Sequence, residues 1–375
     1  MFSEVRSLMQ KAELKNYEKT QLWSLIQESY THNKTHYIEQ WVPYLSSFPQ
    51  HVKDTPLASI NTLEELNIAC SIAPFATFHY VIESTYTDAS EFFASPLLPH
   101  ISSLRTDTLE GIEHIAPTQL HNLNHLQINV DNKDILKHLN HLTQAPIIPS
   151  LTHYEHDHIT MNDAGATLLA NAPILSHIKT LALPANNFTS TGLHALLSSL
   201  HLSQVESLNL NDSQLGPDGV RLFAKIDSLK HIRELAIHGA GAGEDGATAL
   251  FNSPIMQRLT SLDIGVNEIG DKPVLTLAQN QPLPHLKVLD INNNNIGKDA
   301  LVTLINSRMV QQLTTLNLSG NTLSDDVGIA LLESPHLSNL KNLDILHHNI
   351  STHTLNQLTT RFPKVTHSVP DFWWY

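Results

Sequence analysis

Residues 313 to 323 read Leu313-Thr314-Thr315-Leu316-Asn317-Leu318-Ser319-Gly320-Asn321-Thr322-Leu323, and the reading of this stretch decides the fold. Leu316 and Leu318 alternate with polar residues, as in a strand with one buried face. Further on, Ala330, Leu331 and Leu332 cluster at helical spacing. The change of period within one short segment predicts a strand, a turn and then a helix.

The same pattern spreads in both directions. Equivalent segments start at Ile178, Val205, Ile232, Leu259, Leu286, Leu313 and Leu340, each 27 residues after the last. Counting each start as position 0, position 3 holds Leu181, Leu208, Leu235, Leu262, Leu289, Leu316 and Leu343, and position 5 holds Leu183, Leu210, Ile237, Ile264, Ile291, Leu318 and Ile345. Positions 10 and 18 are apolar in all seven segments as well. In a chain that is 41% hydrophobic, chance would fill all five columns with a probability of about 10^-13, so the period is structural. One such unit cannot bury both of its apolar edges, but units stacked side by side form a parallel sheet backed by helices. Helices are about 10 Å wide and strands about 4.8 Å apart, so the stack is expected to curve with its strands on the concave side.

Leu313-x-x-Leu316-x-Leu318-x-x-Asn321-x-Leu323 resembles the leucine-rich-repeat signature in its longer, ribonuclease-inhibitor-like form. The resemblance covers residues 148 to 350 well and extends in degenerate form to Leu123-x-x-Leu126-x-Ile128 and Ile101-x-x-Leu104. Glu333-Ser334-Pro335-His336-Leu337, echoed by Asn252-Ser253-Pro254 and Ala94-Ser95-Pro96, is similar to repeats of bacterial proteins that carry a small N-terminal repeat-companion domain. The fold class this implies is α/β: a curved leucine-rich-repeat solenoid with parallel strands concave and helices convex, and with an N-terminal helical cap. In such repeats an inward-turned Asn satisfies the backbone leaving each strand. Asn186, Asn267, Asn294 and Asn321 fit that ladder; Ala240 cannot, so looseness or a bound water is expected there.

The expected organisation is a helical cap over residues 1–60, degenerate repeats over 61–147, regular repeats over 148–367 and an aromatic tail over 368–375. Leu22, Leu25 and Ile26, then Ile38, Trp41, Val42 and Leu45, give the cap its helical spacing, and Phe372, Trp373, Trp374 and Tyr375 end the tail. The tail is expected either to cover the last repeat or to anchor a partner. The unit before Ile178 is read as starting at Ile148, which makes it irregular and sets His156 at the ladder position.

Composition narrows the function. A formal charge of -14 with all 24 histidines neutral repels phosphate backbones, so no nucleic-acid partner is expected. No apolar run is long enough to span a membrane, the N-terminus lacks the apolar core of a secretory signal, and a single cysteine, Cys70, supports neither a disulfide framework nor a multi-cysteine metal site. A cytoplasmic monomer is expected. Protonating every histidine would invert the net charge, so pH-sensitive association is a further expectation.

The chemistry-bearing motifs are few. Gly241-Ala242-Gly243-Glu244-Asp245-Gly246 matches G-x-G-x-x-G, but Ala242 already fills the core column at position 10, Gly246 reads as a turn glycine, and two carboxylates occupy the place of a pyrophosphate. His153, Glu155, His156 and His158 crowd one strand and its exit, and His138 and His141 share a helical face. Both groups read as solvated histidines more readily than as metal ligands. No G-x-S-x-G, H-E-x-x-H, P-loop or kinase set occurs. No catalytic residue, cofactor or metal is therefore expected.

What remains is the strand face. Alternation turns positions 4 and 6 of each unit into the concavity. The candidate protein-binding residues are Arg105, Gln127, Asn129 and Tyr154 in the early units and Asn209, Asn211, His238, Asp263, Asp290, Asn292, Asn317 and Asp344 in the regular ones. The sequence thus points to a non-enzymatic scaffold for a protein or peptide partner. An enzyme regulator or inhibitor, or a translocated bacterial effector that uses the repeats for target recognition, is the alternative.

Overall fold

The computed structural model describes residues 92–367 apart from 117, 130–134, 157–160, 226–228 and 281, together with 24–25, 59–60, 66–67, 69–70 and 78–82. The expected helical cap, apart from 24–25 and 59–60, and the aromatic tail lie outside the described residues. The chain divides into two compact units: unit 1 is Met1–Ile159 with Asn171–Ile178, and unit 2 is Thr160–Ala170 with Lys179–Tyr375.

Unit 1 pairs five strands in parallel and in chain order: β1 (Ser59–Ile60), β2 (Phe78–Ile82), β3 (Ile101–Thr106), β4 (His125–Ile128) and β5 (His153–His156). The helix α1 (Ile135–Gln144) buries Ile135, His138, Leu139 and Leu142. Tyr80 and Phe92 stack within its core at 4.4 Å between ring centroids.

Unit 2 repeats one device. Strands β6 (Thr180–Ala182), β7 (Ser207–Asn209), β8 (Glu234–Ala236), β9 (Ser261–Asp263), β10 (Val288–Asp290), β11 (Thr315–Asn317), β12 (Asn342–Asp344) and β13 (Lys364–Thr366) pair in parallel, each with the next. The register sets leucine on leucine, Leu208 opposite Leu235, Leu262 opposite Leu289 and Leu316 opposite Leu343. The helices are α2 (Asp163–Ala170), α3 (Ser190–Leu197), α4 (Gly216–Leu222), α5 (Gly243–Phe251), α6 (Asp271–Gln279), α7 (Lys298–Ile305), α8 (Asp325–Glu333) and α9 (Thr352–Arg361). The expected α/β leucine-rich architecture of strand, turn and helix is what these elements form.

Two cross-repeat contacts hold successive units in step. Asn267 Nδ2 donates to Ile237 O at 2.8 Å, Asn294 Nδ2 to Ile264 O at 2.8 Å and Asn321 Nδ2 to Ile291 O at 2.9 Å, while Asn294 Oδ1 accepts from Asn267 N and Asn321 Oδ1 from Asn294 N. On the helix side a first-turn aspartate caps the following helix: Asp163 Oδ1 accepts from Thr189 N and Gly192 N, Asp271 Oδ1 from Gly297 N and Asp325 Oδ1 from Ser351 N. A carboxylate at a helix N-terminus also meets the positive end of the dipole.

The gap at Ala240 resolves differently from the expectation of looseness or water. Ser213 N turns back to Leu210 O at 3.3 Å and Leu215 N to Ser213 O at 2.8 Å. These local turns satisfy the groups that an asparagine at 240 would have served. Gly246 also differs: it sits inside α5, where a Cβ would lie 3.1 Å from Pro217 Cα, so it permits close helix packing rather than a turn.

The ladder gives a direct prediction. Replacing Asn294 by alanine leaves a buried amide and a buried carbonyl unpaired, which costs roughly 2 to 4 kcal/mol. Denaturant unfolding of Asn294→Ala should therefore show a clear loss of stability, whereas Ala240→Ser should change it little.

Candidate functional site

In β6, β7, β9, β10, β11 and β12 the middle residue is buried and the two flanking ones are half-exposed. The outward face of unit 2 therefore carries position 2 as well as position 4. The sequence reading missed position 2, which holds Thr180, Ser207, Glu234, Ser261, Val288, Thr315 and Asn342. The same alternation that selects position 4 selects it too, on the other side of the buried leucine.

Position 4 has a local reason for its Asp and Asn residues. Asn209 Oδ1 accepts from Asn211 N at 2.9 Å, Asp263 Oδ1 from Gly265 N at 3.0 Å, Asp290 Oδ1 from Asn292 N at 2.9 Å and Asn317 Oδ1 from Ser319 N at 3.0 Å. Each closes an Asx turn that bends the chain out of the strand. Sideways links join neighbouring units. Asn317 Nδ2 donates to Asp290 Oδ2 at 2.7 Å, His238 N donates to Asn211 Oδ1 at 2.9 Å, and His238 Nδ1 lies 3.5 Å from Asp263 Oδ1. Burial holds the Asp290 carboxyl above the usual carboxylate range, and the charge of Asp263 adds to the effect against the hydrogen bonds from Asn292 and Asn317.

Position 6 varies more. Gly265 has no side chain, and a Cβ there would overlap Asn292 Oδ1 and lie 2.7 Å from His238 Nδ1. Asn292 and His238 therefore close over the missing side chain, and Asn292 Oδ1 is buried without a partner among the described residues. Position 7 is left-handed in every unit: Ala185, Asp212, Gly239, Val266, Asn293, Gly320 and His347 have φ between 49° and 68°. Glycine, Asn and Asp take this conformation readily; for the β-branched Val266, at φ 55°, it costs about 1 to 2 kcal/mol. Val266 is also 44% exposed.

Of the candidates in unit 1, Arg105 in β3 and Gln127 in β4 are half-exposed on the outward face, and Asn129 is exposed just beyond β4. Tyr154 is a correction. Its strand pairs Leu126 with Tyr154 and Ile128 with His156, so Tyr154 fills the leucine column and is 1% exposed. The unit starts at Leu151, not Ile148, and Met161 N donates to Asn186 Oδ1 at 3.1 Å, as position 10 does elsewhere. Ile148-x-x-Leu151 imitates the opening of the motif, whereas counting 27 residues back from Ile178 finds the true start. Glu155 and His153 take the outward places, and Glu155 Oε2 lies 3.6 Å from His125 Nε2. Burial holds the His125 imidazole below its ordinary value, although Glu155 pulls the other way.

His156 is likewise not at the ladder position. It fills the aliphatic column at position 5, fully buried, with Nδ1 3.2 Å from the Tyr154 hydroxyl and Nε2 unpartnered among the described residues. Burial pushes its pKa down to about 3. His138 is buried and accepts from Leu109 N at 3.2 Å, while His141 Nδ1 lies 2.9 Å from Glu113 Oε1, so neither is a solvated surface histidine. Among the described residues no three His, Cys, Asp or Glu side chains are grouped so as to hold a metal ion; His158 lies outside them.

Comparison with known proteins adds the following. Residues 283–304 and 311–332 match the family model described as Leucine Rich repeat. An internalin from Listeria monocytogenes is similar in structure, with 16% identity, coverage of 98% of this chain and 94% of that chain, and a TM-score of 0.44. The yeast Rad7 and Elc1 complex gives 14% identity, coverage of 92% and 96%, and a TM-score of 0.49. The TLR13–ssRNA13 complex gives 18% identity, coverage of 76% of this chain and 42% of that chain, and a TM-score of 0.42. No curated protein matches the sequence significantly.

His156 makes the stability of unit 1 pH-dependent. Its folded pKa lies below the unfolded value of about 6.5, so the unfolded chain takes up the proton first and stability is lost as pH falls from about 6.5 towards the folded value near 3. The full loss is roughly 5 kcal/mol. His156→Leu should remove this component: thermal melts at pH 7 and pH 5 should lie closer together in the variant than in the native chain.

Proposed function

Since the chain is a leucine-rich-repeat protein, we propose that it is a non-enzymatic scaffold that binds a protein or peptide on its strand face. One observation supports this most. The half-exposed side chains of positions 2 and 4 form columns across successive strands, and the Asx turns already satisfy the backbone beneath them. A partner therefore meets fixed side chains, with little ordering left to do on binding. Asn209, Asn211, His238, Asp263, Asp290, Asn292, Asn317 and Asp344 serve in unit 2. Arg105, Gln127, Asn129 and Glu155 serve in unit 1, where the side chains are longer and more varied.

The reading is of a monomer that works without nucleic acid or a membrane. The carboxylates of the strand face oppose a phosphate backbone. Among the described residues no helix is long and apolar enough to cross a membrane. A cytoplasmic location accords with a single cysteine, Cys70, whose thiol burial pushes up to about 12.

Photo-reactive side chains placed at Ser207 and Ser261 on the strand face, and at Thr303 and Gln357 on the exposed sides of α7 and α9, test the assignment. Cross-linking in native lysate should capture a common protein from the first pair and not from the second. Capture only from Thr303 and Gln357 would move the site to the helices.

A further inference from the structure

The columns of the unit 2 strand face are unevenly charged. Positions 2, 4 and 6 of the seven repeats from Ile178 to Leu346 carry the carboxylates of Glu234, Asp263, Asp290 and Asp344 and contain neither lysine nor arginine. Cations stand elsewhere, and several are already engaged. Lys272 reaches Glu244 at 2.8 Å, Lys298 reaches Asp326 at 2.7 Å and Arg221 reaches Asp245 at 2.9 Å, all on the helices. Just ahead of the strands, Lys179 pairs with Glu206 at 3.0 Å and Lys287 donates to Gln312 at 3.0 Å.

At the middle of this face three features coincide. Asp263 and Asp290 are neighbours across the paired strands β9 and β10. Gly265 lies buried, its backbone covered by the side chains of His238 and Asn292. Val266 follows at once, 44% exposed and left-handed, its nitrogen bonded to Asn292 O at 2.9 Å. An apolar residue held exposed in a conformation that glycine would take more easily contributes surface rather than stability.

We propose that the strand face of unit 2 takes an extended peptide segment bearing lysine or arginine, with the cation against Asp263 and Asp290 and the aliphatic stem of that side chain lying on Val266. The inference rests on the strand-face reading above and names the chemical class of its partner. Long cationic side chains suit such a surface because their methylene stems pack on apolar atoms while the charged head stays wet. Complementary charge also speeds the encounter and makes it salt-dependent.

Fluorescence anisotropy of the full chain with a short labelled peptide alternating lysine and threonine, beside its glutamate counterpart, tests the proposal. The lysine peptide should bind at low salt, weaken as salt is raised, and lose about tenfold in affinity with Asp263→Asn/Asp290→Asn. That double variant keeps the Asx turns, since Asn209 and Asn317 make the same turn with asparagine. Glu244→Gln, on the helix side, should leave binding unchanged. Val266→Gly should melt higher than the native chain yet bind the peptide more weakly, a combination that a purely structural role for Val266 does not give. Equal binding of the glutamate peptide, no binding of the lysine peptide at low salt, or full binding by Asp263→Asn/Asp290→Asn overturns the proposal. If the lysine peptide fails while Ser207 and Ser261 still cross-link a partner, the strand-face reading stands and the cationic class alone falls.

Discussion

One constraint governs the stack: a peptide group that turns inward after a strand has no water to bond and must find a partner within the protein. In the units that start at Leu259, Leu286 and Leu313, the side chains of Asn267, Asn294 and Asn321 meet it by reaching into the preceding repeat. Each asparagine is thereby tied to a carbonyl a fixed number of residues back, and this fixes the length of the unit. A slip of one residue would turn every core leucine outward. The regular period and the regular columns are two consequences of the same bond.

The core was legible in the sequence for this reason. Burial of an aliphatic side chain stabilises by about 1.5 to 3 kcal/mol each time, so the leucine columns from Leu181 to Leu343 had to recur and could be read by counting. The early units were harder because their columns hold other residues. Tyr154 and His156 occupy leucine and isoleucine places, and both are polar enough to have been read as surface groups. Their burial comes from the strand register, which no property of tyrosine or histidine announces. The left-handed turn at position 7 was not legible either. Ala185, Val266 and His347 share a conformation that glycine marks only at Gly239 and Gly320, and the fold imposes it against their preference.

The face was legible only in part. The sequence gives the outward columns, and it also gives aspartate and asparagine in them, but not why they are there. The Asx turns engage one oxygen of Asp263 and one of Asp290 within the chain itself, and Asn317 engages the other oxygen of Asp290. This argues against reading every acidic strand residue as evidence of recognition. Asparagine would close the same turn without charge, as Asn209 and Asn317 do, so the turn itself does not require the negative charge of Asp263 and Asp290.

The same separation applies one residue class further along. Position 7 needs a positive φ, and glycine, asparagine or aspartate supplies it with little strain at Gly239, Gly320, Asn293 and Asp212. Valine supplies it at a cost, and an exposed valine recovers little of that cost through burial. Val266 and the carboxylates of Asp263 and Asp290 are therefore alike in one respect: each carries something that the local turn does not require, and they do so in adjoining repeats. A repeat built by counting makes such departures visible, because the neighbouring units show what the fold alone asks for at each position.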